Sequence, residues 1–293
     1  MSTPDHGLAP PGEPGAPAEP AASTPSPTEI TPAPAHTELP VDLRAPWDRT
    51  DVLIFAAFSL GSAIVLGQVS AMLVLVLAGV PPQQFEKFPT TRTAFVVLHQ
   101  ALLSGAMMLY LCLLVRVRFR EKFWRTIGWR PFAPQSMSRG AAVLACLLGG
   151  ILLSIAVQFA SFLVAPKTKL PMEAYFTNRP SVLMMMAMGV VVAPAVEETL
   201  FRGFLYPVLA RSLGVAGGVL GTGVLFGMMH AAQLWGGWGQ IGLLVVVGVV
   251  FTYVRARTGT VVATYFLHLG YNGILFLEFF LATGGLRHFP AGP

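Results

Sequence analysis

The sequence predicts an all-α polytopic membrane protein, a bundle of seven or eight transmembrane helices. Three observations predict it. Of the 293 residues, 54% are hydrophobic and only 11% are charged, whereas a soluble domain carries roughly a quarter charged residues. The mean hydropathy is +0.64. Apolar runs close to the ~20 residues that a helix needs to cross a bilayer recur from Asp51 onward.

The first 46 residues stand apart. They hold twelve of the 24 prolines, mixed with Ala, Ser, Thr and Gly. Such a stretch buries too little apolar surface to offset its ordering entropy, so a disordered tail is expected over 1–46 and a membrane domain over 47–293. A basic start followed by an apolar core is missing there, so the tail does not read as a signal peptide.

Spans are expected near 52–80, 94–115, 140–165, 181–206, 213–233, 238–254 and 260–283. Dividing 181–211 differently yields the eighth. The loop after the second span carries Arg116, Arg118, Arg120, Lys122, Arg125, Arg130 and Arg139. Basic residues collect on the cytoplasmic side, which puts the N-terminus inside. Arg44, Arg49, Arg202, Arg211, Arg255 and Arg257 then fall on the same side, and with seven spans the C-terminus is outside. The net charge of +5 is thus spread over short loops, with no basic stripe for a nucleic-acid backbone to follow. Cys112 and Cys146 sit inside apolar runs and read as small buried hydrophobes, neither a disulfide framework nor a zinc site. Arginine exceeds lysine, and Ala, Gly, Val and Pro abound, a composition that suggests a GC-rich bacterial genome and an inner-membrane location.

Ionisable groups at membrane depth are costly and mark function. Glu197, Glu198, Arg202, His230, His268 and Asn272 concentrate in the second half of the chain. His99, Gln68, Gln158 and Glu278 occur singly and read as structural. On a helix, Glu198 and Arg202 are four residues apart and can pair, while Glu197 points about 100° away, free for other work. One carboxylate held ionised beside another tuned by burial is the arrangement a general base requires. His230 closes FGMMH, four residues after Phe226, on a stretch whose glycines are spaced for close helix approach. The expected neighbour is the helix bearing the glutamates. His268 and Asn272, in HLGYN, share one face of the last span. Counted at 1.5 Å per residue from the span ends, Glu197, His268 and Asn272 converge at about 14–20 Å depth, with His230 about 10 Å higher.

EETLFR, FGMMH and HLGYN, in that order on successive apolar spans, resemble the CPBP family, the CAAX-protease and bacteriocin-processing intramembrane endopeptidases with EExxxR, FxxxH and HxxxN motifs. The resemblance covers residues 181–275. It implies a protein that hydrolyses a peptide bond in a membrane-anchored or membrane-proximal protein or peptide, with the lipid bilayer as its other partner. By position, Glu197 would activate water with Glu198 in support. His230 would assist the water or hold substrate, and His268 and Asn272 would stabilise the oxyanion. Arg202 and Phe226 are structural support. No cofactor is expected. The alternative is zinc held by Glu197, His230 and His268, although no HExxH helix supports it. A second class of function uses the same cavity without catalysis, as in a membrane immunity or scaffolding protein. A transporter is disfavoured because no internal repeat places polar groups in both halves.

Overall fold

The computed structural model describes residues 1, 2, 7, 40, 43–132, 134, 137–164 and 169–289. The chain divides into Met1–Glu38 and Leu39–Pro293, and all elements named below belong to the second unit. Most of the 1–46 tail lies outside the described residues. Its last residues, 43–46, are described: the Leu43 side chain is buried, and the adjoining Trp47 indole donates to the Phe204 carbonyl at 2.8 Å.

Helices are the only regular structure among the described residues. α1 (Arg49–Ala78) opens with reciprocal caps. Asp48 accepts from the amides of Thr50 at 2.8 Å and Asp51 at 3.1 Å, and the Asp51 carboxylate accepts from the Asp48 amide at 3.1 Å. These amides, that of Asp51 foremost, hold the Asp48 carboxyl below its usual range. The pairing satisfies donors that a helix start leaves orphaned. α2 (Pro89–Leu113) begins with proline, whose missing N–H costs nothing at a first turn, and runs on through a π-helical turn, Leu114–Arg118. α1 and α2 pair through Phe58 stacked on Tyr110 at 4.7 Å and through Arg118 bonded to the buried Asp51 at 2.6 Å. A one-turn α3 (Phe123–Thr126) follows, then α4 (Arg139–Leu163).

Six helical stretches are long and apolar enough to cross a membrane. The most apolar window of α1 has a mean hydropathy of 2.2, yet only 11% of it is buried within the protein. Leu60, Ile64 and Leu77 point outward. A surface of that kind needs lipid as its solvent, because exposed apolar patches of this extent do not persist in water. The protein is an integral membrane protein.

The fourth stretch, Arg179–Met229, is 51 residues long. A straight helix of that length would span about 77 Å, more than twice a bilayer core. It turns back at Gly214, whose φ of 74° and ψ of 167° break the helix. A β-carbon on Gly218 would lie 2.7 Å from the Ala210 Cα, whereas a straight helix would set residues 210 and 218 about 12 Å apart. The sequence reading treats the residues between 206 and 213 as a loop between two spans. The chain stays helical there and reverses at one glycine, so the spans expected at 181–206 and 213–233 fall within one of the six apolar stretches. The polar residues that suggested a loop have other work. Arg211 holds the backbone carbonyls of Leu43, Ala45 and Trp47, and the Ser212 hydroxyl accepts from Arg49 at 2.9 Å.

The elements of this stretch are α5 (Arg179–Ala187), a π turn (Met188–Val192), α6 (Ala193–Glu198), a second π turn (Thr199–Leu205) and α7 (Tyr206–Met229). α8 (Trp238–Thr258) and α9 (Val261–Ala282) complete the fold. The glycines of α7 do allow a close approach, but the neighbour is α8, not the glutamate helix. β-carbons on Gly223 and Gly227 would fall 2.7 Å and 2.8 Å from the amide nitrogens of Val249 and Val245. α9 meets α4 in the same way: a β-carbon on Gly150 would collide with the Leu267 carbonyl, and one on Gly270 with the Leu147 carbonyl. Gly270→Val should therefore push α9 off α4. The expected result is a loss of about 1–3 kcal/mol or more, read as a lower thermal midpoint of the purified protein in detergent.

Candidate active site

Glu198 is fully buried, and one of its oxygens carries the site's polar contacts. Oε1 accepts from Arg202 Nη1 at 3.0 Å and from His268 Nδ1 at 2.9 Å. Oε2 makes no hydrogen bond, and the Thr264 hydroxyl is turned to the Val261 carbonyl at 3.0 Å. Because Nδ1 of His268 faces a carboxylate, that nitrogen carries the hydrogen. Nε2 is left facing Glu197, whose Oε2 stands 3.8 Å away. The imidazole thus lies between two carboxylates from successive residues, one in direct contact and one beyond hydrogen-bond range. Glu197 is the more accessible acid, with its side chain 14% exposed.

Arg202 is equally buried and spends its donors across helices. Nη2 reaches the Gly248 carbonyl at 2.9 Å and Nε reaches the Thr252 hydroxyl at 3.2 Å, both on α8. Its guanidinium lies 4.5 Å from the Phe226 ring centroid and 5.3 Å from that of Phe251. A buried guanidinium is tolerable when its nitrogens have acceptors and its faces are covered; here each of the three nitrogens has one acceptor, and the Phe226 and Phe251 rings lie against the group. Arg202 therefore fixes one lone pair of Glu198 in space.

Backbone geometry adds a second device. In the π turn Met188–Val192 the Ala193 amide bonds to the Met188 carbonyl, leaving the Gly189 carbonyl without its α-helical donor. The donor one residue further on would be Pro194, which has no N–H. In lipid an orphaned carbonyl is expensive. Asn272 fills the gap, donating from Nδ2 to the Gly189 oxygen at 2.7 Å. π turns of this kind recur at functional sites, and this one lies two turns before the glutamates.

Residues 179–274 match the family model described as Type II CAAX prenyl endopeptidase Rce1-like. This segment is similar to that family. It contains the EETLFR, FGMMH and HLGYN residues together, on about a third of the chain. No curated protein and no solved structure matches the chain.

Within the matched segment, the structure brings Glu197, Glu198, Arg202 and His268 together, with Asn272 one turn along α9. His230 is set apart. Its Nδ1 is bonded to the Phe226 carbonyl at 2.9 Å, and its link to His268 runs through the Phe226 ring, whose centroid is 5.0 Å from one imidazole and 5.9 Å from the other. No three His, Cys, Asp or Glu side chains among the described residues are gathered as a metal would need. Glu197, His230 and His268 do not form a ligand set in this geometry.

Sequence reasoning passed over three contributors. Thr252 and Phe251 of α8 receive Arg202, and Trp129, after α3, donates to the Thr199 hydroxyl at 2.9 Å, next to Glu198. Thr252 was visible as a lone hydroxyl in an apolar run, but only the fold says which helix it faces. Replacing Asn272 by alanine removes one interhelical hydrogen bond. The expected loss is about 0.6–2 kcal/mol of stability, measured by thermal unfolding in detergent, with Asn272→Asp weaker than wild type as well because it brings no donor to Gly189.

Proposed function

We propose that the protein is an intramembrane endopeptidase that hydrolyses a peptide bond in a membrane-anchored or membrane-proximal protein or peptide by glutamate-activated water. The observation that carries this reading is the His268 imidazole set between Glu198 at 2.9 Å and Glu197 at 3.8 Å. Glu198, clamped by Arg202, orients the ring, and Glu197 is the acid left free to take a proton. A water bonded to Glu197 gives its proton to that carboxylate as its oxygen bonds the scissile carbonyl carbon. The resulting oxyanion meets donors already in position, which is where electrostatic catalysis acts. His268 Nε2, when it too carries hydrogen, is one such donor, and the second N–H of Asn272 is another. Collapse breaks the C–N bond, and the proton held on Glu197 goes to the leaving nitrogen. His230 has its Nδ1 hydrogen on a backbone carbonyl, so its Nε2 is an acceptor suited to holding water or substrate. In this reading the protein sits in a bacterial inner membrane with its N-terminus in the cytoplasm, which the basic loop ends support.

The test is hydrolysis itself. Reconstituted protein and candidate membrane-anchored precursors are incubated in ¹⁸O-water, and new carboxyl termini are sought by mass spectrometry. Wild type should yield ¹⁸O-labelled termini, and His268→Ala at matched incorporation into the membrane should not. Equal labelling in both would remove His268 from the reaction. Partner binding without labelling by wild type would favour the non-catalytic role.

A further inference from the structure

A second feature lies away from the acids and histidine. Met108, Leu109, Cys112 and Arg116, at the end of α2, form an open cavity of about 410 Å³ with Phe123 and Trp124 of α3. That volume is within the roughly 300–1,000 Å³ of sites that take small ligands. Its walls are apolar except at one end. Eight residues separate Met108 from Arg116, about 12 Å along the helix axis, so the polarity is graded with depth. The basic run continues past Arg116 through Arg118, Arg120, Lys122 and Arg125. Arg118 is committed to Asp51 at 2.6 Å. Arg116, Arg120 and Lys122 make no ion pair among the described residues.

The local backbone is held in place at some cost. Arg120 has a φ of 57°, a left-handed conformation that a residue with a β-carbon rarely adopts. That bend turns the chain from the π turn of α2 into α3, and it sets Phe123 and Trp124 opposite Met108 and Cys112. Phe123 is buried, whereas Trp124 is 58% exposed.

We propose that this cavity binds one anionic phospholipid, with an acyl chain along the Met108–Cys112 wall and the phosphate on Arg116. A soluble polar ligand would find nothing to bond with below the rim. An apolar ligand without charge would leave Arg116, the cation that lines the cavity, unused. An anionic phospholipid matches both ends, since clustered basic residues beside a membrane span attract acidic headgroups and a guanidinium binds phosphate through paired donors.

The test uses the full chain purified in dodecyl maltoside, with dioleoyl phosphatidylglycerol and dioleoyl phosphatidylcholine as probes, and native mass spectrometry as the readout. Wild type should retain one phosphatidylglycerol with an affinity about tenfold above that for phosphatidylcholine. Arg116→Gln should bring phosphatidylglycerol down to the phosphatidylcholine level. Cys112→Trp, which fills the cavity and leaves Arg116 in place, should abolish retention of both. Arg116 is exposed and makes no ion pair among the described residues, so R116Q should fold and decides the matter even if C112W does not. Equal retention of the two lipids by wild type, or an undiminished preference in R116Q, would overturn the proposal.

Discussion

Glu197→Gln should lower the rate of precursor cleavage by about 10²–10⁴-fold, the range a positioned general base contributes, while the protein inserts and accumulates as wild type does. The contrast between activity and stability is what makes this variant informative. The polar group that faces Glu197 is His268 Nε2, and at 3.8 Å it lies beyond hydrogen-bond range. Glutamine keeps the size and removes only the basicity, so little packing energy is at stake. Side-by-side measurement of cleavage rate and thermal midpoint in detergent checks it. Wild-type cleavage by E197Q would remove Glu197 as the base. A large drop in midpoint would show that its role is structural.

The fold was legible to the extent that lipid imposes simple rules. Apolar length located the helices, because a segment that crosses a bilayer must be long, apolar and internally hydrogen-bonded. The same rule misread 207–212, where Arg211 and Ser212 look like a loop. Their polarity is absorbed by the N-terminal residues Leu43–Trp47, more than 160 positions away in sequence, and no local pattern reveals such a partner. Gly214 was visible as a glycine in a glycine-rich run, yet nothing in the run marks it as the one residue with positive φ. The same holds for the α7 glycines: their spacing announced a close approach, but not that α8 would be the partner.

In the site, spacing alone anticipated the Glu198–Arg202 pair, since residues four apart on a helix meet. Expecting Glu197 to point away was half of the truth. The helix carrying both acids is flanked by π turns, and both carboxylates converge on the one imidazole of α9. Asn272 shows the limit most clearly. Its position on the His268 face was readable, but its bond to Gly189 arises from a π turn and a proline that together orphan one carbonyl. That is a consequence of backbone register, which side-chain periodicity does not encode.

Arg202→Met should be the most destabilising single change in the site. It would leave the Glu198 carboxylate fully buried with no cation beside it, and take the guanidinium from the Thr252 hydroxyl and from the Gly248 carbonyl, which keeps only the Thr252 hydroxyl as its side-chain donor. Breaking a buried ion pair from one side costs about 3–5 kcal/mol, enough to lower the midpoint substantially and to reduce the amount of protein recovered. The double variant Glu198→Gln/Arg202→Met separates the charge from the packing. It removes the stranded anion, yet the substituted amide can still present an oxygen to His268 Nδ1. It should therefore recover part of the stability lost in R202M, with a coupling energy within the roughly 0.5–3 kcal/mol seen between contacting residues. Activity should not return with it, because a neutral amide holds the imidazole less firmly than a carboxylate pinned by an arginine. Recovery of stability without activity would assign the ion pair to orienting His268. Strict additivity of the two substitutions would mean instead that Arg202 acts through its contacts with α8 and the Phe226 ring, and that the charge on Glu198 is borne by His268 alone.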